Sequence, residues 1–359
     1  MIITRTPFRI TLGGGGTDLP SYYGEHGGFV FSVTIDKYMY IHLNTPIVDD
    51  LIRVKYSKYE EVSNVDDIKH DLVREALRKM DVTKAVEIQS MADIPASTGL
   101  GSSSCYLVGL LNALHCYRNI SISQQELAEE ANHIEMNILK QPVGKQDHYT
   151  AAFGGFIIMD INKSGLVTVK RPEALSEDII DELESSLLIY YTNTTRSASE
   201  ILKEQNKSTL DKGSQSHTKV VESLHEIKDI GYKTLDAINS GNLDEFGKLM
   251  DVHWRAKKRL SNKISSSKID DLYELGMKNG ALGGKILGAG GGGFMLFYCP
   301  KEMQSKLTHS MSEKGMRRMR FKFDFDGSKV MMNIFNRRQA LDRELRIGLD
   351  SMKHRVIVN

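Results

Sequence analysis

The chain has 359 residues, with 47 Lys and Arg against 46 Asp and Glu, a net charge of +1 and 40% hydrophobic residues. That length suits two domains, and the balanced charge leaves no electrostatic footprint for nucleic acid or an anionic membrane. Cys105, Cys116 and Cys299 stand apart without a C-x-x-C pair, which argues against a disulfide framework or zinc cluster. The same cysteine usage suits a reducing cytoplasm. No apolar run reaches the length of a membrane span, and the N-terminus carries no apolar signal core.

The first 60 residues read mostly as strands: Ile2 to Ile10, Phe29 to Ile35 and Met39 to Leu43 are rich in β-branched and aromatic residues. A helix is expected at about Asp67 to Lys79. Val86, Ile88 and Ser90 alternate with Ala85, Glu87 and Gln89, as in a strand. Leu107, Val108, Leu110, Leu111 and Leu114 then recur at helical spacing. Ser123 and Glu126 form a capping box for another helix, with Leu127, Ala131, Ile134 and Ile138 as its apolar stripe and Pro142 as its end. Ala151 to Ile161 reads as a strand after a Gly-rich turn. Glu177 to Glu184 reads as a helix or a boundary, and Leu187 to Tyr191 opens a second domain. Ser197 to Asn279 is nearly all helical, with breaks near Gly213 and Gly241. Lys285 to Tyr298 returns to β-character around a glycine cluster, Met303 to Lys314 suits a short helix, and Arg320 to Phe325 a last strand. The expected division is 1–185, 186–334 and a charged extension 335–359.

The most informative stretch is Pro95 to Ser104, PASTGLGSSS, lying between a strand pattern and a helix pattern. It delivers the chain to a helix N-terminus, where unpaired N–H groups and the helix dipole favour an anion. Gly99 and Gly101 allow the backbone close to a phosphate, and Ser102, Ser103 and Ser104 add hydroxyls for phosphate oxygens or a hard cation. Near the N-terminus, Arg9 runs into four glycines followed by Thr17 and Asp18. An Arg can neutralise charge on a transferring phosphoryl group, and an Asp can accept from sugar hydroxyls. Glu135 flanks a buried stripe, and Asp147 follows in QPVGKQDHY. Two carboxylates can divide the work of holding Mg²⁺ and handling a hydroxyl proton.

Residues Gly288 to Gly293 match G-x-G-x-x-G, but a strand pattern follows them instead of a helix, which rejects a dinucleotide site. Gly283-Gly-Lys285 lacks the Walker A spacing. Phe323-Asp-Phe-Asp-Gly327 is no DFG motif, and no HRD loop exists. His133-Ile-Glu135 lacks the PCxxC of a deaminase, and the serine loop lacks the GxSxG elbow.

The order of the Arg9/Asp18 segment, the GLGSSS loop and the glycine cluster at 288–293 resembles the GHMP kinases over about residues 1–330. The resemblance implies an α/β (α+β) two-domain fold, a ribosomal-protein S5-like N-terminal domain and a ferredoxin-like C-terminal domain, with the active site between them. Within the family, PFRI…GGGTDLP, YTNTTRSAS and HWRAKKRLS resemble the enzymes acting on D-glycero-α-D-manno-heptose 7-phosphate. The implied reaction is transfer from ATP to the 1-hydroxyl, giving the 1,7-bisphosphate for GDP-heptose synthesis in bacterial surface polysaccharide. Another sugar, of the fucose or hexose type, or a non-catalytic relative, stays open as an alternative.

By the same resemblance, Gly99, Leu100, Gly101 and Ser102 to Ser104 cradle the ATP phosphates, and Ser104 (or Ser103) and Glu135 hold Mg²⁺. Asp147 handles the hydroxyl proton beside Arg9. Gly15, Gly16, Thr17, Asp18, Gly290 and Gly291 meet the sugar, and Arg196, Lys257 and Lys258 are candidates for its phosphate. Tyr38, Tyr56 and Lys58 are candidates for the adenine pocket. A homodimer is compatible with this reading.

Overall fold

The computed structural model of the chain describes residues 1–194 and 198–335. Alternating apolar and β-branched residues draw β1 (Ile2–Gly13) and β2 (Gly28–Asn44) into an antiparallel pair along nearly their whole length. β2 is one strand where the sequence suggested two. A bulge opposite Pro7 and Phe8 absorbs Asp36 and Lys37, so the chain bends without leaving the sheet. β3 (Ile52–Lys55), β4 (Tyr59–Val62) and β5 (Val86–Ala92) extend it in the order β1-β2-β5-β3-β4. β6 (Phe156–Ile161) pairs with the first part of β2, and β7 (Val167–Lys170) with β6.

The helices of this half are α1 (Pro20–His26), α2 (Asp71–Lys79), α3 (Ser102–Tyr117), α4 (Gln124–Asn132) and α5 (Gln146–Phe153). α3 is buried nearly all round and packs on β1 and β2, as a helix apolar on every side must. α2 starts later than expected, after a 3₁₀ turn at Val65–Asp67. The Ser123/Glu126 capping box forms as read. Its helix then loosens into a π-helical turn, His133–Ile138, and Ile138 is exposed rather than part of the apolar stripe. The strand expected from Ala151 is the end of α5. Gly154 and Gly155, both at positive φ, turn the chain before β6 begins.

The second half comprises α6 (Glu177–Ser186), β8 (Leu187–Tyr191), α7 (Ala198–Leu210), α8 (Gln215–Asn239), α9 (Leu243–Lys258) and α10 (Ser267–Lys278). β9 (Gly283–Ile286), β10 (Phe294–Tyr298), α11 (Gln304–Glu313) and β11 (Arg317–Met319) follow. The antiparallel order β11-β8-β10-β9, with helices after the first and third strands, is the ferredoxin-like arrangement. The helix breaks come at Gly213 and Gly241 as read.

β12 (Phe323–Asp324) and β13 (Lys329–Asn333) then return to the first sheet and pair with β2 and β1. Of the strand expected over Arg320 to Phe325 only β12 forms, and β11, which ends before it at Met319, belongs to the other sheet. Residues 323–333, grouped with the second half from sequence, complete the first. α8 also packs on β1 and β2, where a Cβ at Gly231 would come within 3.0 Å of the Gly14 nitrogen. Residues 336–359, and with them most of the charged extension, lie outside the described residues.

Candidate active site

A cavity of about 780 Å³ opens between the two sheets. Its lining includes Arg9 and Thr11 of β1, Gly99, Gly101 to Ser104, Asp147 of α5, Lys257 of α9 and Lys285 of β9.

Gly99 and Gly101 both adopt φ +84°, a backbone conformation costly for any side chain. A Cβ at Gly99 would meet the Leu287 carbonyl oxygen at 2.4 Å, and one at Gly101 would meet Asp147 Oδ2 at 3.1 Å. The loop therefore threads between the β9–β10 hairpin and α5. Leu100, fully buried, anchors it from below and does not line the cavity. Gly101 is the N-cap of α3, so the helix begins at the cavity wall with unpaired N–H groups. Ser102 Oγ is buried there without a partner among the described residues. Replacing Gly101 with alanine is expected to cost about 1–2 kcal/mol of stability from the left-handed strain alone. Urea unfolding reads that loss, and steady-state kinetics should show a drop in turnover as the Asp147 carboxylate is pushed aside.

Arg9, almost fully buried, clamps Asp147 with two parallel bonds, Nε to Oδ1 at 2.6 Å and Nη2 to Oδ2 at 2.8 Å. Its Nη1 donates to the Gly99 carbonyl at 2.9 Å, tying the carboxylate to the glycine loop. The Asp147 side chain is still 23% exposed. A carboxylate so held, open on one side and beside a helix N-terminus, can accept a proton from a hydroxyl next to a phosphate.

Asp18 is fully buried and accepts from the backbone N–H groups of Gln146 and Gly16, at 3.0 and 3.1 Å. It thereby ties the Gly15–Asp18 turn to the first turn of α5, which carries Asp147. Burial raises its carboxyl above the ordinary range and the Asp147 charge adds to this, while the Gln146 and Gly16 donors oppose it. Gly144 is required beside it, since a Cβ there would stand 2.0 Å from Asp18 Oδ2.

Glu135 sits in the π-helical turn, a distortion that often marks functional sites. Its Oε2 accepts from Ser104 Oγ at 3.2 Å and from His148 Nε2 at 2.7 Å. Burial pushes its carboxyl up, but His148 and the serine hydroxyls outweigh that and hold it below the ordinary value. The result is an ionised carboxylate, itself behind the cavity lining, next to the Ser104 hydroxyl at the start of α3, a donor pair suited to Mg²⁺. Among the described residues no cluster of three or more His, Cys, Asp or Glu could hold a metal without a ligand's help.

Residues 69–155 match the GHMP kinases N terminal domain and residues 234–315 the GHMP kinases C terminal domain. The chain is similar to the D-glycero-alpha-D-manno-heptose 7-phosphate kinase of Campylobacter jejuni, 32% identical over 339 residues, covering 91% of this chain and 98% of that one. The chain belongs to the GHMP kinase family. It is also 26% identical, over 84% of its length, to the L-fucokinase/L-fucose-1-P guanylyltransferase of Bacteroides fragilis, of which it matches 35%. A solved D-glycero-D-manno-heptose 1-phosphate kinase from Bacteriodes thetaiotaomicron superposes with a TM-score of 0.76 at 25% identity, covering 94% of this chain and all of the other. A Campylobacter jejuni sugar kinase superposes with a TM-score of 0.71 at 27% identity, covering 92% of this chain and 97% of that one.

In this kinase, several residues singled out from sequence meet at the cavity: Arg9, Gly15, Gly16, Asp18, Gly99, Gly101 to Ser104, Asp147 and Lys257. Others do not. Thr17 is fully buried, with its hydroxyl bonded to the carbonyls of Gly14 and Phe29. Gly290 and Gly291 pack on Ile264, away from the lining. Lys258 pairs with Asp270 outside the cavity. Arg196 lies outside the described residues. Of the aromatic candidates, Tyr56 reaches the wall, while Tyr38 bonds Asp324 and neither it nor Lys58 lines the cavity.

Tyr56 packs edge-on against His70, which stacks on Tyr106 at 4.9 Å, and all three line the far end beside Ser90 to Pro95. Such an aromatic wall suits the flat face of a purine. His70, Tyr106, Gln146, His253 and Lys285 were not singled out from sequence. Only their assembly from different elements marks them, although Lys285 stands in a strand otherwise free of charge.

Proposed function

We propose that the protein is a sugar kinase that moves the terminal phosphoryl group of ATP to the anomeric 1-hydroxyl of D-glycero-α-D-manno-heptose 7-phosphate. The clamped Arg9–Asp147 pair beside the glycine loop is the observation that carries the transfer reading. The likeness to the Campylobacter enzyme supports the acceptor. In this reading the α3 N-terminus, Gly99, Gly101 and the hydroxyls of Ser102 and Ser103 hold the ATP phosphates. The purine lies against Tyr56, His70 and Tyr106. Ser104 and Glu135 hold Mg²⁺, which supplies charge neutralisation between the phosphates when bound.

Asp147 receives the proton of the acceptor hydroxyl as its oxygen bonds to the γ-phosphorus. The bond from that phosphorus to the bridging oxygen breaks, and ADP leaves with the electron pair. Arg9 keeps the carboxylate in place and offsets charge on the moving group. Asp18 fixes the Gly15–Gly16 turn against which the sugar rests. No covalent enzyme intermediate is needed, because positioning and electrostatics suffice.

The test is ADP release with Mg-ATP on a panel of D-glycero-D-manno-heptose 7-phosphate, free heptose, mannose 6-phosphate, galactose, fucose and mevalonate. Turnover confined to the 7-phosphate, or shared weakly with mannose 6-phosphate, is the expected result. Product analysis then distinguishes a 1,7-bisphosphate from any other site of transfer. Turnover of a free sugar would refute the phosphorylated acceptor and retain the kinase. A preference for fucose would favour the reading suggested by the Bacteroides fragilis relative.

A further inference from the structure

The floor of the cavity carries two lysines that none of its carboxylates pairs. Lys257 Nζ donates to the carbonyl oxygens of Ile286 and Gly288. Lys285 Nζ donates to the Leu12 carbonyl at 2.9 Å and to His253 Nδ1 at 3.2 Å. Lys285 is buried and Lys257 partly buried, and both line the cavity. Among the described residues, neither has a carboxylate within ion-pair distance, and the nearby Arg9 is already committed to Asp147. Each ammonium has three N–H groups and spends two, leaving one for a ligand. A desolvated, unpaired ammonium is costly, so two of them side by side call for an anion.

Their position says which anion. Gly288, whose carbonyl accepts from Lys257, abuts the glycine loop: a Cβ there would lie 2.5 Å from Gly99 Cα. The Gly99 carbonyl accepts from Arg9, and Arg9 holds Asp147. Leu12, the partner of Lys285, follows Arg9 on the same strand. Both lysines therefore flank the reacting end of the site. A phosphate carried by the acceptor would stand a sugar's length away from the hydroxyl that reacts.

We propose that Lys257 and Lys285, with Arg9, form an anion-holding floor that grips the phosphoryl group in transit, rather than the phosphate on the acceptor. Lys257 is thereby moved from the role its place in the sequence suggested, and Lys285 joins it. His253 supports Lys285 by accepting its N–H through Nδ1, which requires the neutral ring. Burial, with the two lysine charges adding to it, pulls the His253 pKa far down and keeps the ring in that form.

The groups facing Lys257 are Arg9, Lys285 and His253, with Asp147 beyond Arg9. Burial first, and Arg9 second, bring Lys257 down to about 7. Lys285 also lies well below the ordinary lysine value, chiefly from burial. At pH 8 Lys257 is therefore largely without its proton, and an anion that restores its charge must draw a proton in. The sign for stability follows. Below about pH 7 the partly desolvated charge on Lys257 destabilises the free protein. That burden lifts as pH rises from there towards the unfolded lysine value, where the unfolded chain binds the extra proton.

The inference rests on the ATP-transfer reading but not on the identity of the acceptor. The experiment is calorimetric titration of the full chain at pH 8 with Mg-AMP-PNP and with Mg-ADP, in buffers of different ionisation heat. Proton uptake should be larger for AMP-PNP, and the excess should vanish in Lys257→Met and Lys285→Met. Both variants should keep or raise Tm, most clearly near pH 6, because an unpaired desolvated charge has gone. Both should lose about 100-fold in kcat on any acceptor that is turned over, with acceptor KM little changed. Lys285→Arg, which keeps the charge, should retain more activity than Lys285→Met.

Equal proton uptake for the two nucleotides would overturn the proposal. So would a loss confined to the KM of phosphorylated acceptors, which would return the lysines to the acceptor's phosphate. A fall in Tm with kcat preserved would make them structural. Failure of the protein to bind AMP-PNP at all would remove the transfer reading and this proposal together, whereas an unexpected acceptor in the panel leaves the calorimetric result intact.

Discussion

Replacing Asp147 with alanine is expected to lower kcat by about 100-fold or more, the usual yield of a positioned proton acceptor. Nucleotide affinity should change little, because the glycine loop and the α3 N-terminus stay in place. The substitution also leaves Arg9, buried and still bonded to the Gly99 carbonyl, without its carboxylate. Part of the loss could therefore come from a displaced Arg9. Asp147→Asn separates the effects, since the amide oxygen still accepts one Arg9 N–H but the group can no longer take a proton. Both variants at the same low kcat would assign the loss to proton handling. Recovery in the asparagine variant would make Asp147 an anchor for Arg9, and near-normal turnover in both would refute the role.

Glu135→Gln should be the second large loss. The substitution keeps the volume of a buried side chain and can still accept from Ser104 and His148. It removes the negative charge that a hard cation needs. At saturating ATP, kcat should fall by about 100-fold, a scale set by losing one preorganised electrostatic partner. The Mg²⁺ concentration for half-maximal activity should rise. Titrating activity with Mg²⁺ and then Mn²⁺ separates a metal role from a structural one. Partial rescue by the second metal, with Tm held, supports coordination. A lower Tm with an unchanged metal requirement would instead make Glu135 a partner that fixes His148.

The two carboxylates also show where sequence reading reaches its limit. Asp147 was legible as a carboxylate in QPVGKQDHY, but its backbone was not. The stretch that follows it read as a strand from Ala151, whereas it is helix until Gly154 and Gly155 break it. Small residues such as Ala151 and Ala152 fit either state, so burial against β1 and β2 decided. Glu135 was legible as flanking a buried stripe. The π-helical turn that carries it was not, because Ile134 and Ile138 kept ordinary helical spacing while Ile138 turned to solvent.

Some features follow from local chemistry alone. The capping box at Ser123, the helix after the GLGSSS loop and the glycine breaks between helices depend on residues close in sequence. So does the left-handed backbone at Gly99 and Gly101, the property that makes the loop able to hug a phosphate. The Arg9/Asp18 segment, the GLGSSS loop and the glycine cluster at 288–293, in their order along the chain, pointed to the family and through it to Arg9, Asp18, Ser104, Glu135 and Asp147.

What only the tertiary structure decided is which distant groups share a dielectric and a cavity. Strand alternation cannot say that β12 and β13 cross back to the first sheet. Helical periodicity cannot say that Lys257, on the last turn of α9, comes to lie under the glycine loop rather than in solvent. Nor can a lysine in the short strand β9 announce that it will meet His253 and the Leu12 carbonyl. Charge burial is a property of packing between segments far apart in the chain, and the sequence specifies it only through the whole fold.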